Sequence, residues 1–435
     1  MPAGRLFLVI ALSTLALTAG ILVPVLTGVA LAVDGAALLA FLLDLRRARR
    51  TPLEAERDFP PMLVQGTEGT VEVTVRNPAR RPVRVQLRDG LAPALATAPE
   101  RTTLELAATG EQRWSYPLTP RTRGEVTVAP LTARVLGPWG LAWTQRELLP
   151  PSAVRVYPQV RWGGKVGQLL VLARRRELGQ SPLRRQGMGS ELYAVREYLP
   201  GDPLSRIHWK SAARHGRLVS REDTWEQGSR LVILLDCGRS MATLDGRRSK
   251  LDHALAASLA LTRFALGRGD RVTVVTFADQ VDRTVRLGTG ASGAQQAYAR
   301  LFDQEARLVE PAFDLAAETV LGLERRRSTV VLFTSVVDLA AADLLRQALL
   351  TLERRHRPFL VNLEDPELVR LALGSPDDDG EAFAKVAALE IMLANRRLGK
   401  QLRRAGIRAV TASADQLALE ALEGYLAVFR DTRVA

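Results

Sequence analysis

The 435-residue chain is 47% hydrophobic and 25% charged, a balance that supports packed cores and excludes wholesale disorder, with length for two or three domains. A formal net charge of +13 and a pI near 10.6 ask for an acidic neighbour, and dispersed arginines without an aromatic-rich block favour the membrane surface over nucleic acid. The single cysteine, Cys237, excludes an internal disulfide framework.

From Leu6 to Leu45 the only ionisable residues are Asp34 and Asp44. Apolar sequence of this length is about twice what one helix needs to cross a bilayer. Two spans are therefore expected, roughly Leu6 to Val23 and Val25 to Leu43, with Pro24 near the turn. A cleaved signal peptide would give way to polar sequence, whereas here the apolar sequence continues. Arg5 precedes the first span and Arg46, Arg47, Arg49 and Arg50 follow the second, so both ends should face the cytoplasm. Asp34, inside the second span, reads as a helix contact beside Gly35 or as a proton or partner site.

Beyond the arginines the period changes. Glu68 to Arg76, Val83 to Leu87, Thr103 to Leu106, Trp114 to Leu118 and Glu125 to Val128 alternate apolar and polar residues, with turn residues between. This spacing predicts an antiparallel β-sandwich over residues 51–150, fibronectin-like because it has no cysteine. Leu136-Gly137-Pro138-Trp139-Gly140-Leu141 closes the region, which carries no catalytic constellation and reads as a spacer or docking module.

Residues 151–228 read as a basic linker. Arg174-Arg175-Arg176 and Arg184-Arg185, followed by Gly187-Met188-Gly189-Ser190, would suit phosphate or an acidic protein, or simply a solvated loop. Then come Arg196-Glu197-Tyr198-Leu199-Pro200-Gly201-Asp202-Pro203, Arg206-Ile207-His208-Trp209-Lys210 and Arg214. Gly201-Asp202-Pro203 makes a turn, Asp202 is placed to accept from Arg206 or Arg214, and Trp209 is expected to pack. The block is either a recognition surface or the fastening of the linker to the next domain.

Over residues 229–435 strands and helices alternate. Leu231 to Leu235, Arg271 to Phe277, Thr329 to Phe333, Pro358 to Leu363 and Ile407 to Thr411 are short apolar runs separated by helical patterns such as Lys250 to Leu266 and Glu381 to Arg404. Leu251, Leu255, Leu259 and Thr262 make one core-facing stripe. A doubly wound, Rossmann-like α/β domain is predicted, whose ligands would sit at the carboxyl ends of its strands. Asp236 ends the first strand, followed by Cys237-Gly238-Arg239-Ser240-Met241.

An apolar strand stopping at an acid followed by hydroxyl residues resembles the metal-ion-dependent adhesion motif of von Willebrand factor A domains. Together with the block Arg196, Tyr198, Gly201, Asp202, Arg206, Trp209, Lys210 and Arg214, it is similar to the domain-of-unknown-function 58 family of bacterial membrane-anchored proteins. The resemblance implies a bacterial membrane-anchored protein; with the two spans and the arginines that flank them, a multidomain, multi-pass protein of the cytoplasmic membrane with its soluble domains in the cytoplasm is expected. It also implies a MoxR-like AAA+ ATPase as partner, in the assembly or maturation of other proteins. Against the adhesion motif Asp-x-Ser-x-Ser, Gly238 replaces the first serine. After the later strand Thr334-Ser335 replaces the usual carboxylate, with Asp338 three residues on, while Thr289 or Ser292 would supply the distant hydroxyl. Asp236 and Ser240 are thus candidate ligands for magnesium. Without metal, Asp236, Gly238, Arg239, Ser240, Ser335 and Asp338 would meet a protein partner.

Enzymatic signals are sparse. Cys237 with His208, His215, His253 or His356 lacks a local nucleophile signature. Neither a phosphate-cradling glycine loop nor zinc-ligand spacing occurs, and Asp377-Asp378-Asp379-Gly380 reads as a solvated turn before a helix. A membrane-anchored interaction module is the first reading. A hydrolase using Asp202 to Arg214 and a cation-dependent extracytoplasmic adhesion protein are the alternatives.

Overall fold

The computed structural model describes residues 4–19, 24–90, 94–97, 101–160, 164, 166–168, 191–197, 209–224 and 229–430. They fall into two compact units, Met1–Gln159 and Val160–Ala435.

In the first unit the apolar N-terminus forms helices α1 (Gly4–Ala19) and α2 (Pro24–Arg49), with Pro24 opening α2, where its missing N–H costs nothing. The helices pack together, the buried Ser13 hydroxyl donating to the Ala30 carbonyl at 3.3 Å. Gly35, expected to mark a helix contact beside Asp34, has nothing within 4 Å of a Cβ built on it. Among the described residues one stretch, Thr27–Arg49, is long and apolar enough to cross a membrane. Val29, Leu31, Val33, Leu38, Leu39, Leu42 and Leu43 are exposed on it, an apolar surface that water would not stabilise. At 16 residues, α1 is about 24 Å long, short of a ~30 Å hydrocarbon layer.

Eleven strands follow: β1 (Glu54–Asp58), β2 (Leu63–Val64), β3 (Gly69–Arg76), β4 (Val83–Asp89), β5 (Leu95–Thr97), β6 (Arg101–Leu106), β7 (Glu111–Pro120), β8 (Gly124–Val128), β9 (Leu131–Leu136), β10 (Trp143–Leu149) and β11 (Ser152–Tyr157). They form sheets of order β1-β3-β7-β5, β10-β9-β4-β6 and β2-β11-β8. The alternation read from sequence puts Val71, Val73 and Val75 of β3 and Val83, Val85 and Leu87 of β4 into one shared core. Arg57 and Asp89 pair at 2.6 Å inside it, and Tyr116 and Ser152 supply further hydrogen bonds to this pair, which satisfies otherwise costly buried charge. The β region does not stop at residue 150. β11 pairs antiparallel with β8 and parallel with β2, because Val154 and Val156 complete the core.

Asp44, at the end of α2, is buried and accepts backbone N–H bonds from Trp139 (2.9 Å), Leu141 (2.9 Å) and Ala142 (3.0 Å). A Cβ on Gly137 would overlap that carboxylate, so the motif closing the β region needs glycine for close approach. The Arg47 guanidinium lies 4.5 Å from the Trp139 ring centroid. The last turns of α2 are therefore fixed to the β region by buried hydrogen bonds.

In the second unit β12 (Glu191–Glu197) pairs antiparallel with β13 (Val219–Thr224), helix α3 (Trp209–His215) lying between them in sequence. A six-stranded sheet then forms from β14 (Arg230–Asp236), β17 (Arg271–Phe277), β18 (Val281–Arg286), β19 (Thr329–Thr334), β20 (Arg357–Leu363) and β21 (Arg408–Ala412), while β15 (Leu244–Asp245) and β16 (Arg248–Ser249) make a separate small hairpin. The order is β18-β17-β14-β19-β20-β21. All neighbours are parallel except the edge strand β18, which had no sequence expectation. The helices are α4 (Arg239–Ala242), α5 (Lys250–Gly267), α6 (Gly290–Leu301), α7 (Phe313–Leu323), α8 (Leu339–Glu353), α9 (Pro366–Leu373), α10 (Asp379–Arg404) and α11 (Leu417–Arg430). Residues Leu231, Ile233 and Leu235 pack with α5 and α11, whereas Val232 and Leu234 pack with α7, α8 and α10. A strand buried on both faces explains the unbroken apolar runs.

Candidate functional site: the carboxyl rim of the parallel sheet

Parallel strands end together at one edge, where backbone groups need new partners and side chains from several loops converge. Asp236 stands at that edge, completely buried. One of its oxygens accepts the Gly238 N–H at 2.7 Å and the other accepts the Thr334 hydroxyl at 2.6 Å. The carboxylate therefore ties the loop after β14 to the end of β19. The segment 307–312 closes over it: Arg307 N–H donates to Cys237 O, Arg239 N–H to Val309 O, and Ala312 N–H to Ala278 O. Gly238 has no room for a side chain, since a Cβ there would lie 3.0 Å from Pro311 Cδ and Val309 O.

Burial pushes the Asp236 carboxyl up to about 6, opposed by the hydrogen bonds from Thr334 and Gly238. Among the described residues no Lys, Arg or His nitrogen comes within ion-pair distance of it. Between about pH 4 and pH 6 the folded protein holds a proton that the unfolded chain has lost, so stability falls as pH rises through this window and levels off above it. Asp236→Asn keeps the shape and removes the ionisation. Chemical denaturation of both proteins side by side is expected to favour the variant by up to about 3 kcal/mol at pH 7, less any hydrogen-bond loss, with the gap shrinking toward pH 4. A pH-independent gap would contradict this. His253 and His356, depressed by burial, slope the opposite way, destabilising as pH falls, and cancel in the comparison.

Beside Asp236 lies a second buried polar group. Lys250, the first residue of α5, is fully buried, and its ammonium donates to Ser335 Oγ at 3.2 Å and pairs with Asp365. Asp365 also caps α9 through the Glu367 N–H at 2.9 Å. Ser335 Oγ donates to Leu363 O at 3.0 Å, and Asn362 Oδ1 accepts the Val336 N–H at 2.9 Å. One ammonium and two short polar side chains thus bind the ends of β19 and β20 to the start of α5.

Above these buried groups the accessible rim is ionic. Arg239 pairs with Glu310 at 2.6 Å and with Asp338 at 3.6 Å; all three side chains are at least 36% exposed. They come from the β14 loop, the closing segment and the N-cap of α8, where Asp338 Oδ1 accepts the Ala341 N–H at 2.6 Å.

This geometry divides the residues expected to meet a partner. Arg239 and Asp338 are accessible and Ser240 is half-buried, while Asp236, Gly238 and Ser335 are withdrawn beneath the surface. The magnesium expectation does not suit the arrangement. Both Asp236 oxygens are engaged, Gly238 offers no hydroxyl, and among the described residues no group of three His, Cys, Asp or Glu side chains gathers. Thr289 and Ser292 are exposed, Ser292 Oγ donating to Thr289 O at 3.2 Å, so neither reaches a buried acid.

Other candidates separate. Cys237 is buried at the carboxyl end of β14 and His356 at the amino end of β20, opposite ends of the sheet that form no nucleophile pair. His253 lies 3.9 Å from Asp245. In the Arg196 to Arg214 block, Arg196 lies on β12 opposite Ser220, and Arg214 on α3 is exposed. Trp209, expected to pack, is 68% exposed, because it opens a short helix whose buried side is Ala212. Lys210 lies on the same helix, whereas Tyr198, Gly201, Asp202, Arg206 and His208, like Arg174 to Arg176 and Arg184 to Ser190, lie outside the described residues. Asp378 caps α10 by accepting the Glu381 N–H at 2.7 Å, in keeping with the solvated turn.

Sequence reasoning missed Lys250, Asp365, Asn362 and Glu310. Asp365-Pro366 carries a helix-start signal, and its position just after β20 puts it on the rim; nothing local marks Lys250 as buried.

Residues 194–377 match the family model described as "Protein of unknown function DUF58". No curated protein matches the chain. Among solved structures, the CARDB domain of PF1109 from Pyrococcus furiosus is 17% identical, with 24% of this chain and 93% of that chain covered and a TM-score of 0.18. Proximal thread matrix protein 1 from the mussel byssus is 13% identical, covering 45% of this chain and 44% of that chain at a TM-score of 0.24. SSP-19, an MSP-domain protein like family member in Caenorhabditis elegans, is 11% identical, covering 23% and 98% at 0.17. Scores this low carry no argument. Over residues 194–377 the chain is thus similar to the DUF58 family.

Proposed function

We propose that this protein is a membrane-anchored interaction module, an accessory partner of a MoxR-like AAA+ ATPase in the assembly or maturation of other proteins. In this reading α1 and α2 are two membrane spans with both ends in the cytoplasm, following the arginines after α2. The β region is a fibronectin-like sandwich serving as a spacer, and the α/β region is a von Willebrand factor A-like docking domain. The observation that carries it is the exposed Arg239, Glu310 and Asp338 set, drawn from three loops at the carboxyl rim. Groups at that edge face outward from a rigid sheet, and exposed charges steer and select protein partners. The ATPase as partner rests on family resemblance.

The test is affinity purification of the detergent-solubilised full chain, with mass spectrometry of what accompanies it. Arg239→Glu and Asp338→Arg, both on exposed side chains, are expected to reduce a co-purifying AAA+ ATPase about tenfold or more, the size of a lost interfacial charge contact. Recovery of the ATPase unchanged in both variants, or its absence from the wild-type preparation, counts against the reading.

A further inference from the structure

Among the described residues the long helix α10 buries one of its faces. Ala388, Ala394, Leu398 and Leu402 are buried. Roughly opposite, at spacings of three and four residues, Phe383, Val386, Leu389 and Leu393 are 77%, 55%, 40% and 48% exposed, a continuous apolar stripe. Charge along this exposed face is polar in its order. Asp379 precedes the stripe and the exposed Glu390 lies within it, whereas Arg397, Lys400 and Arg404 follow it, all within the same side of the helix at 100° per residue.

We infer that this face docks a second copy of the same chain, α10 against α10, antiparallel about a two-fold axis near Leu389. Two-fold pairing is self-complementary, each patch meeting its own copy. Running the helices antiparallel sets Asp379 of each copy against Arg397 of the other and Phe383 against Leu393. A parallel arrangement would stack acid on acid and base on base, which is unfavourable. An acidic partner would leave Asp379 opposed to like charge, and an anionic membrane surface would repel the Asp379 end, so the second copy fits both ends of the stripe.

The test is disulfide cross-linking of the full chain in its own membranes, where the buried Cys237 offers no competing thiol. Leu389→Cys is expected to link to itself. Phe383→Cys alone and Leu393→Cys alone are expected not to, because like positions are then separated by about 15 Å of helix rise, beyond disulfide reach. Mixed, with one copy tagged to shift its mobility, those two variants are expected to link to each other. Asp379→Arg should lower the Leu389→Cys yield several-fold, and adding Arg397→Asp should restore it. Overturning results are Phe383→Cys linking to itself, which means parallel packing, or no Leu389→Cys link in wild-type charge background. Protection of Leu389→Cys from a water-soluble thiol reagent by anionic vesicles, without cross-linking, would assign the face to lipid and overturn the inference as well.

Discussion

Replacing Lys250 with methionine is expected to speed amide exchange in Leu231 to Leu235 and Thr329 to Phe333 about a hundredfold, the equivalent of roughly 3 kcal/mol of local stability. Methionine fills similar volume, so the loss is electrostatic. Asp365, at 12% side-chain exposure, is left without its ammonium partner, and Ser335 loses a donor. Removing one member of a buried pair costs more than removing both, because a lone charge remains. Adding Asp365→Asn, which retains an oxygen for the Glu367 N–H, should therefore recover much of the protection. Exchange in Lys250→Met at the wild-type rate would mean that the pair does not hold the strand ends.

The second large effect concerns the first unit. Asp44→Ala strips three backbone N–H groups of their acceptor, at about 1–3 kcal/mol for each that stays buried. The segment from Gly137 to Ala142 should become a site of rapid limited proteolysis. Gly137→Ala should do the same while Asp44 is present, since the new methyl group displaces the carboxylate. In an Asp44→Ala background the same glycine change should add little, because the overlapping group is gone. Additive effects of the two changes would show that the glycine is needed for another reason.

What could be read in advance follows from the range over which each signal acts. Strand β14 was legible because a strand covered on both faces writes an unbroken run, Leu231 to Leu235, and α5 because Leu251, Leu255 and Leu259 repeat with the helical period. Strand β3 was legible from alternation. β18 was not, since Val281 to Arg286 lies at an edge and its exposed side chains dilute the pattern. β11 was hidden because Arg155 and the flanking prolines mask two core valines.

The site was legible in position and misread in depth. A strand ending in an acid does locate the carboxyl rim, but Asp236 is covered by a segment that starts some seventy residues later in sequence, and closure by a distant loop leaves no local mark. The same holds for Lys250, whose acid lies 115 residues away. Asp44 stands out in the sequence only as an ionisable residue just past the second apolar span, because its three partners sit beyond the intervening strands.

The most direct measurement of the docking account is in-cell photo-cross-linking with a photoreactive residue at position 239 on the carboxyl rim and, separately, at the exposed position 326 near the amino ends of the strands. The account predicts that an AAA+ ATPase, identified by mass spectrometry, is captured from position 239 and not from position 326. Capture from position 326 alone, or of no ATPase from position 239 while the protein is present at wild-type level, would contradict it.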